Sequence, residues 1–291
     1  MAQAENTSIF SKSYCLAYYK LESGALTVDS KNGYTLTNNN SVAEVTGKYG
    51  GGADFGVSAS GKWLSVDSAL GVSGQTFAVS AWVKSTQALN DEEENWIWKF
   101  DNAGAGSFFL RFYKPTGTTV EVNLVRNNGL TQEWIRYAWD FGQTNWHHYV
   151  CNINNNSMEL FVDGVSRGST ACSTTTNGSS TGFQIGATNM DGYIDDVVVA
   201  SQIFTAGEIQ ELYANSQYIT KTLKYCVKTT PITLTKSLKY AVQLSPAQIT
   251  KSVKYAVKTT QSTIQKSLTY KCNVYHPFIY ETQKTIYVDK Y

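Results

Sequence analysis

The stretch NWHHYVCNINNNSMELFVDG, residues 145–164, is the clearest fold signal in the chain. HHYVCNI (147–153) and SMELFVD (157–163) each alternate with period two, and the NNN between them is a turn signal. In the second run Met158, Leu160 and Val162 share one face, while Glu159, Phe161 and Asp163 share the other. One apolar face and one mixed face is the pattern of an antiparallel strand packed on one side. His147 and His148 are adjacent on a strand, so they face opposite ways and cannot chelate one metal together.

Working outward, the same alternation recurs in FAVSAWVKS (77–85), WIWKF (96–100), SFFLRFY (107–113), TVEVNLV (119–125) and YIDDVVVA (193–200). Turn signals (GGADFG, NAGAG, PTGT, NNGL, DGVSRG, TNGSS) separate the runs. Short strands spaced ~8–12 residues apart predict an all-β sandwich or barrel. One helix is expected at Phe204–Tyr213, where Thr205 and Glu208 form a capping box and Ile209, Leu212 and Tyr213 make one stripe.

Several segments recur in a familiar order. They are CLAYYKLESGALTVDSKNGYTLTNNNSV, GKYGGGADFG, TFAVSAWVKS, NWHHYVCNINNNSMELFVDGVSRGS and FQIGATNMDGYIDDVVVASQIFTAGEIQELY. Together, over about residues 14–215, they resemble a laminin-G-like, concanavalin A-like domain. The resemblance implies a jelly-roll sandwich of two curved antiparallel sheets, with Trp82 and Trp146 as core aromatics. It leaves function open, because this superfold hosts lectins, glycosidase accessory modules, adhesins and virion proteins. It also implies a structural Ca²⁺ between an N-terminal Asp/Asn-Gly loop and an Asp on the last long strand. Here Asp29 and Asn32 of DSKNG, and Asp195 and Asp196 of GYIDDVVV, would supply the ligands. Asp195 shares the parity of Val197 and Val199, so burial is expected for it, with a metal or several N–H donors as partner.

Composition breaks near Gln217. Residues 1–217 hold all 22 Gly, all 7 Trp, 12 Lys+Arg and 21 Asp+Glu, a net of −9. Residues 218–291 hold 12 Lys, no Arg and 2 acidic residues, a net of +10. Two domains are therefore expected, 1–217 and 218–291. The second repeats with a period of 15: ITKTLKYCVKTTP from Ile219, LTKSLKYAVQLSP from Leu234, ITKSVKYAVKTTQ from Ile249, IQKSLTYKCNVYHP from Ile264 and a worn TQKTIYVDKY from Thr282. Each copy reads as a long strand plus a turn, weakly similar to viral fibre-shaft repeats. Parallel in-register stacking would ladder Lys221, Lys236, Lys251 and Lys266, whereas an antiparallel meander separates them. Leu223, Tyr225, Leu238, Tyr240, Val253, Tyr255, Leu268 and Tyr270 form a repeated apolar face that needs a cover. A homo-oligomer or a scaffold protein would provide it.

Catalytic chemistry has little support. No Glu-x-Asp-x-x-Glu strand, Ser-His-Asp set, phosphate loop or nucleotide fingerprint appears, and Asp91–Glu94 reads as a solvated loop. Five scattered Cys without a CxxC pair point to reduced thiols, with Cys151–Cys172 the one disulfide to consider. No apolar run approaches the ~20 residues of a membrane span, no Sec-type signal is visible, and nothing points to specific nucleic-acid binding. Trp96, Trp98, Trp134 and Trp139 flank loops and are the candidate carbohydrate platforms, with Trp96 and Trp98 on one face of their strand. The expectation is a non-enzymatic structural or adhesive protein of a virion or other extracellular assembly, possessing a lectin-like domain and an assembly tail. The alternative is a cell-surface lectin-like adhesin or carbohydrate-binding module anchored by its basic tail.

Overall fold

The computed structural model describes residues 4–214, apart from 58–60, 73–75, 87–88, 103–106, 128–131, 139–143, 173–179 and 187–188, together with strands at 249–258 and 263–272. Contacts divide the chain into two units, Met1–Gln217 and Tyr218–Tyr291. The strands of the first unit are β1 (Cys15–Tyr19), β2 (Thr37–Asn39), β3 (Ala43–Tyr49), β4 (Gly51–Asp54), β5 (Trp63–Val66), β6 (Thr76–Ser85), β7 (Glu94–Asn102) and β8 (Ser107–Tyr113). They continue with β9 (Glu121–Asn127), β10 (Gln132–Ala138), β11 (His147–Asn154), β12 (Ser157–Val162), β13 (Val165–Ala171), β14 (Ser180–Ile185) and β15 (Gly192–Ala200). One helix, α1 (Ala206–Ala214), follows.

All pairings are antiparallel and make two sheets. The eight-stranded sheet runs β13-β12-β11-β6-β15-β4-β3, with β1 also on β15, and the seven-stranded sheet runs β10-β9-β8-β7-β14-β5-β2. This is the concanavalin A-like jelly-roll sandwich. The 147–163 segment forms the predicted hairpin, Tyr149 facing Val162, Cys151 facing Leu160 and Ile153 facing Met158. Asn155 in its tight turn has φ of 31°, a conformation Asn tolerates better than most residues.

The core lies between the sheets. Met158, Leu160, Val162, Tyr149 and Cys151 meet Trp98, Phe100, Leu110, Val122 and Phe183 there. Phe77 sits edge-on to Phe100 and Phe108 at 5.1 and 5.0 Å, and Phe100 lies 4.6 Å from Phe183. Each such side chain contributes roughly 1.5–3 kcal/mol by leaving water.

The outer face of the eight-stranded sheet is also covered. Ile9 from the N-terminal 3-10 turns and Phe204, Ile209 and Leu212 at α1 pack on Tyr18, Ala78, Val150 and Val198. Asn152 of β11 holds the approach to α1 with paired bonds, its Nδ2 donating to Phe204 O at 2.8 Å and its Oδ1 accepting Phe204 N–H at 3.0 Å. Thr205 and Glu208 form the capping box, with Thr205 N–H donating to Glu208 Oε2 at 2.8 Å and Glu208 N–H to Thr205 Oγ1 at 3.3 Å. Trp82 is buried, but on this outer face rather than in the inter-sheet core, against Tyr49, His148 and Tyr213. Trp146 is half-buried near Tyr193.

A bulge changes the reading of β15. Ile194, Val197 and Val199 point into the inter-sheet core, but the register shifts between Asp195 and Val198, and Asp196 has φ of 55°. Asp195 therefore does not share the face of Val197 and Val199. Strand parity counts residues, and a bulge adds one. Asp195 is fully buried on the opposite side, where it faces Trp82 across the ladder.

Cys15, Cys151 and Cys172 are free thiols, so Cys151 and Cys172 are not bridged. No described helix is long and apolar enough to cross a membrane. In the second unit, β16 (Ile249–Lys258) and β17 (Thr263–Cys272) pair antiparallel. The register sets Val253 opposite Leu268, Lys251 opposite Tyr270 and Tyr255 opposite Lys266, so the equivalent lysines of these two copies do not pair. Leu223, Tyr225, Leu238 and Tyr240 lie outside the described residues.

Candidate functional site

The outer face of the seven-stranded sheet carries an unusual set of side chains. A bulge in β7 shifts the register between Trp96 and Trp98, and Ile97 and Trp98 are both buried, at 0% and 1% exposure. Trp98 is thus a core residue beside Phe100 and cannot be an exposed platform, and Trp96 and Trp98 do not share a face. The same bulge turns Trp96 and Lys99 outward. Registers then align Trp96 with Arg111, Arg111 with Asn123 and Asn123 with Arg136 across four strands. A second row aligns Gln184, Lys99, Phe109, Val125 and Trp134.

These rows interlock. Trp96 stacks on Phe109 at 4.2 Å. The Arg111 guanidinium lies 4.9 Å from the Tyr113 ring, 5.1 Å from Trp134 and 5.6 Å from Phe109. Arg136 lies 4.7 Å from the same Trp134 ring, and Lys99 Nζ 5.6 Å from Trp96. Glu94 ties the array from one end: it accepts the Trp96 indole N–H at 2.8 Å and pairs with Arg111 Nη1. Trp96 and Trp134 remain partly exposed, so an oriented aromatic surface reaches solvent beside fixed polar groups. Trp139 lies outside the described residues.

The acidic run 91–94 is a clamp. Asp91 pairs with Lys114 at 2.9 Å and accepts Gly117 N–H at 3.2 Å. Glu92 accepts the Tyr113 hydroxyl at 2.7 Å and the Thr116 N–H at 2.9 Å, so the run pins the 115–118 turn. Hydrogen bonds to their charged forms hold both carboxyls below the ordinary range.

The residues named for calcium do not fit that ion. Asp29 is occupied by backbone: Oδ1 accepts Tyr18 and Lys31 N–H, both at 2.8 Å, and Oδ2 accepts Asn32 and Tyr34 N–H at 2.9 and 3.0 Å. Asn32 Nδ2 donates to Leu16 O at 2.6 Å. Asp196 accepts the Tyr18 hydroxyl and, at 3.2 Å, Ala4 N–H. Among the described residues no three His, Cys, Asp or Glu side chains come together to hold a metal ion. Asp195 Oδ2 accepts Tyr49 N–H at 2.9 Å, while its Oδ1 is buried without a partner. Burial, reinforced by the Asp196 charge, pushes the Asp195 carboxyl up to about 8.

The fold also makes a pair that the sequence concealed. Ser80 Oγ lies 2.7 Å from His148 Nε2. Both are 1% exposed, and burial pushes the imidazole down to about 3, so His148 is neutral and sealed from substrate at physiological pH. Asp163 does not complete a triad with it; its Oδ2 contacts His147 Nδ1 at 2.6 Å and its Oδ1 accepts the His148 backbone N–H at 2.9 Å.

Arg111, Phe109 and Arg136 are not singled out by the sequence reading, and Glu94, expected in a solvated loop, instead opens β7 and binds Arg111 and Trp96. A signal was present in SFFLRFY, where Phe109, Arg111 and Tyr113 share one parity. That is a charged residue flanked by aromatics on a face opposite a fully apolar one.

The profile of the concanavalin A-like lectin/glucanases superfamily matches residues 56–210, more than half of the chain. The chain belongs to this superfamily. No curated protein matches the sequence. Among solved structures, this concanavalin A-like chain is similar to domain 4 of AbnA, a GH43 extracellular arabinanase from Geobacillus stearothermophilus in complex with arabinotriose. The TM-score is 0.55 at 19% identity, covering 69% of this chain and 98% of that one. The binding domain of botulinum neurotoxin DC in complex with SialylT matches with TM-score 0.57 and 13% identity, over 94% of this chain and 74% of that one. A botulinum neurotoxin type C structure, whose cell entry depends on interaction with two ganglioside molecules, matches with TM-score 0.58 and 13% identity, over 89% and 62%. At these identities the likeness shows the fold alone.

Proposed function

We propose that the chain is a non-enzymatic saccharide-binding protein and that the outer face of the seven-stranded sheet is its binding surface. One observation carries this reading: Trp96 and Trp134 are partly exposed and fixed in place, by Phe109 and Glu94 in one case and by two guanidinium groups in the other. Saccharide sites need such aromatic surfaces beside polar groups, held rigid before the ligand arrives. The arabinotriose and SialylT complexes of the two similar domains agree with it. Trp134→Ala is expected to weaken glycan binding by roughly tenfold or more in affinity, while melting stays cooperative. Unchanged glycan binding in Trp134→Ala would move the site elsewhere.

The finer part of the proposal concerns residues 218–291. A basic repeat of net +10 beside a domain of net −9 fits an assembly region, and a virion appendage or other extracellular assembly is the setting we favour. Replacing Leu238 and Tyr240 together with Asp is expected to convert an oligomer into monomers in light scattering, with near-wild-type melting of the first unit. A wild-type chain that stays monomeric at high concentration would end this part of the reading.

A further inference from the structure

A neutral sugar laid on tryptophan needs an open ring face. On this sheet the ring faces are shared with cations. Trp134 has Arg136 at 4.7 Å and Arg111 at 5.1 Å from its centroid, and Trp96 has Phe109 stacked at 4.2 Å with Lys99 Nζ at 5.6 Å. A guanidinium lying on an aromatic ring keeps its N–H edge available for an acceptor in its own plane. The acidic groups nearby are already engaged. Glu94 holds Arg111 and the Trp96 indole, and Asp101 pairs with Lys99 at 2.5 Å. With the buried Asn123 amide turned so that its nitrogen faces Glu121, Glu121 Oε2 accepts from it at 3.2 Å. Arg136 is exposed and makes no ion pair with a described carboxylate. Arg111 is 7% exposed, and its Nε has no hydrogen-bond partner. The face therefore holds one accessible guanidinium and, on the same tryptophan, one buried guanidinium whose donors are only partly met.

We infer that this surface takes an anionic saccharide, one bearing a carboxylate or sulfate group, with Arg136 meeting the charge and Arg111 as the fixed charge behind Trp134. The inference rests on the saccharide reading above and adds the ligand class to it. Bidentate guanidinium recognition of a planar oxyanion is short-ranged and directional. It does not need a basic field, and residues 1–217 provide none at a net of −9.

The test is titration calorimetry on the full chain at about 0.15 M salt. The probes are a short uronic-acid oligosaccharide, its carboxyl-reduced neutral counterpart and a sulfated oligosaccharide of equal length. Wild type is expected to bind at least one acidic probe roughly tenfold tighter than the neutral one, and the arm that wins tells carboxylate from sulfate. Arg136→Gln should bring the acidic and neutral affinities of the variant together, while Arg136→Lys restores part of the difference. The lysine-rich repeats are identical in all three proteins, so the difference between variants reports Arg136. Equal binding of acidic and neutral probes, or an acid preference that survives Arg136→Gln, overturns the inference. Neutral binding that still requires Trp134, without acid preference, overturns it while keeping the saccharide reading. No binding of any probe overturns both.

Discussion

Asp195→Asn is expected to raise the melting temperature by an amount that grows as pH rises from about 4 to about 8. Asp195 is fully buried, with Asp196 next to it and no partner for Oδ1. Its carboxyl is pushed from 3.8 up to about 8. A folded state that raises an acid's pKa keeps its proton while the unfolded chain loses it. Stability from this group is therefore complete below the unfolded value and is lost as pH climbs through the folded one. The slope is about 1.4 kcal/mol per pH unit at most, and the neutral amide removes it. With ~2–4 °C per kcal/mol for a unit of this size, the variant should match wild type near pH 4 and exceed it by roughly 5 °C or more at pH 8. Scans in chelator keep divalent ions from holding the carboxylate ionised. A difference between the proteins that does not vary with pH would show that Asp195 is not the buried acid described above. His148 supplies a contrary slope. Its pKa falls from 6.5 to about 3, so its stability is complete above 6.5 and is lost as pH drops toward 3. The two groups offset one another between about 4 and 6.5. Asp195→Asn, having lost one of them, should show a melting temperature that falls on acidification over that range.

Gly192→Ala is expected to be a severely damaging single-methyl change in the first unit. Gly192 opens β15 with φ of 136°, where L side chains are strained, and its O accepts Phe55 N–H at 3.1 Å. An added Cβ would lie 2.1 Å from Lys84 O and 2.8 Å from Ser85 Cα, both backbone atoms of β6 that cannot swing away. β6 and β15 are central neighbours in the eight-stranded sheet, so separating them opens the core. A loss above about 3 kcal/mol is expected, read as a fall of roughly 10 °C in melting or as insoluble protein. Gly207→Ala, in α1 with open space around the added carbon, is the control and should melt at or above wild type. A Gly192→Ala protein that melts like wild type would mean that β15 does not enter the sheet at this residue.

The sandwich was legible because its rules are local. Alternation in 147–163 set the hairpin and its buried face, and Thr205–Glu208 set the start of α1. The candidate site was half legible. Trp96 and Trp134 were chosen by residue type beside loops, and both reach solvent. Trp98 was misplaced, and Asp195 was assigned to the wrong face, for one reason. Each is compared with strand neighbours across a bulge, and period-two counting carries no mark of an inserted residue. The loop pattern that suggests Asp29 as a metal ligand supplies, in the fold, three backbone N–H donors to that same carboxylate, and β1 adds a fourth from Tyr18.

The sequence by itself determined the strand pattern, the composition break at Gln217 and the superfamily, since hydrophobic period, turn chemistry and charge are written residue by residue. Tertiary structure alone decided which distant side chains meet. Arg136 sits beside Trp134 on the same strand, but Arg111 reaches that ring only because β8, β9 and β10 pair in one register. Ser80 reaches His148, and Asp195 loses its solvent, by the same route: strands far apart in sequence become neighbours ~4.8 Å apart. Cross-strand contacts depend on register and bulges, which are settled by how the whole core packs and not by any one segment.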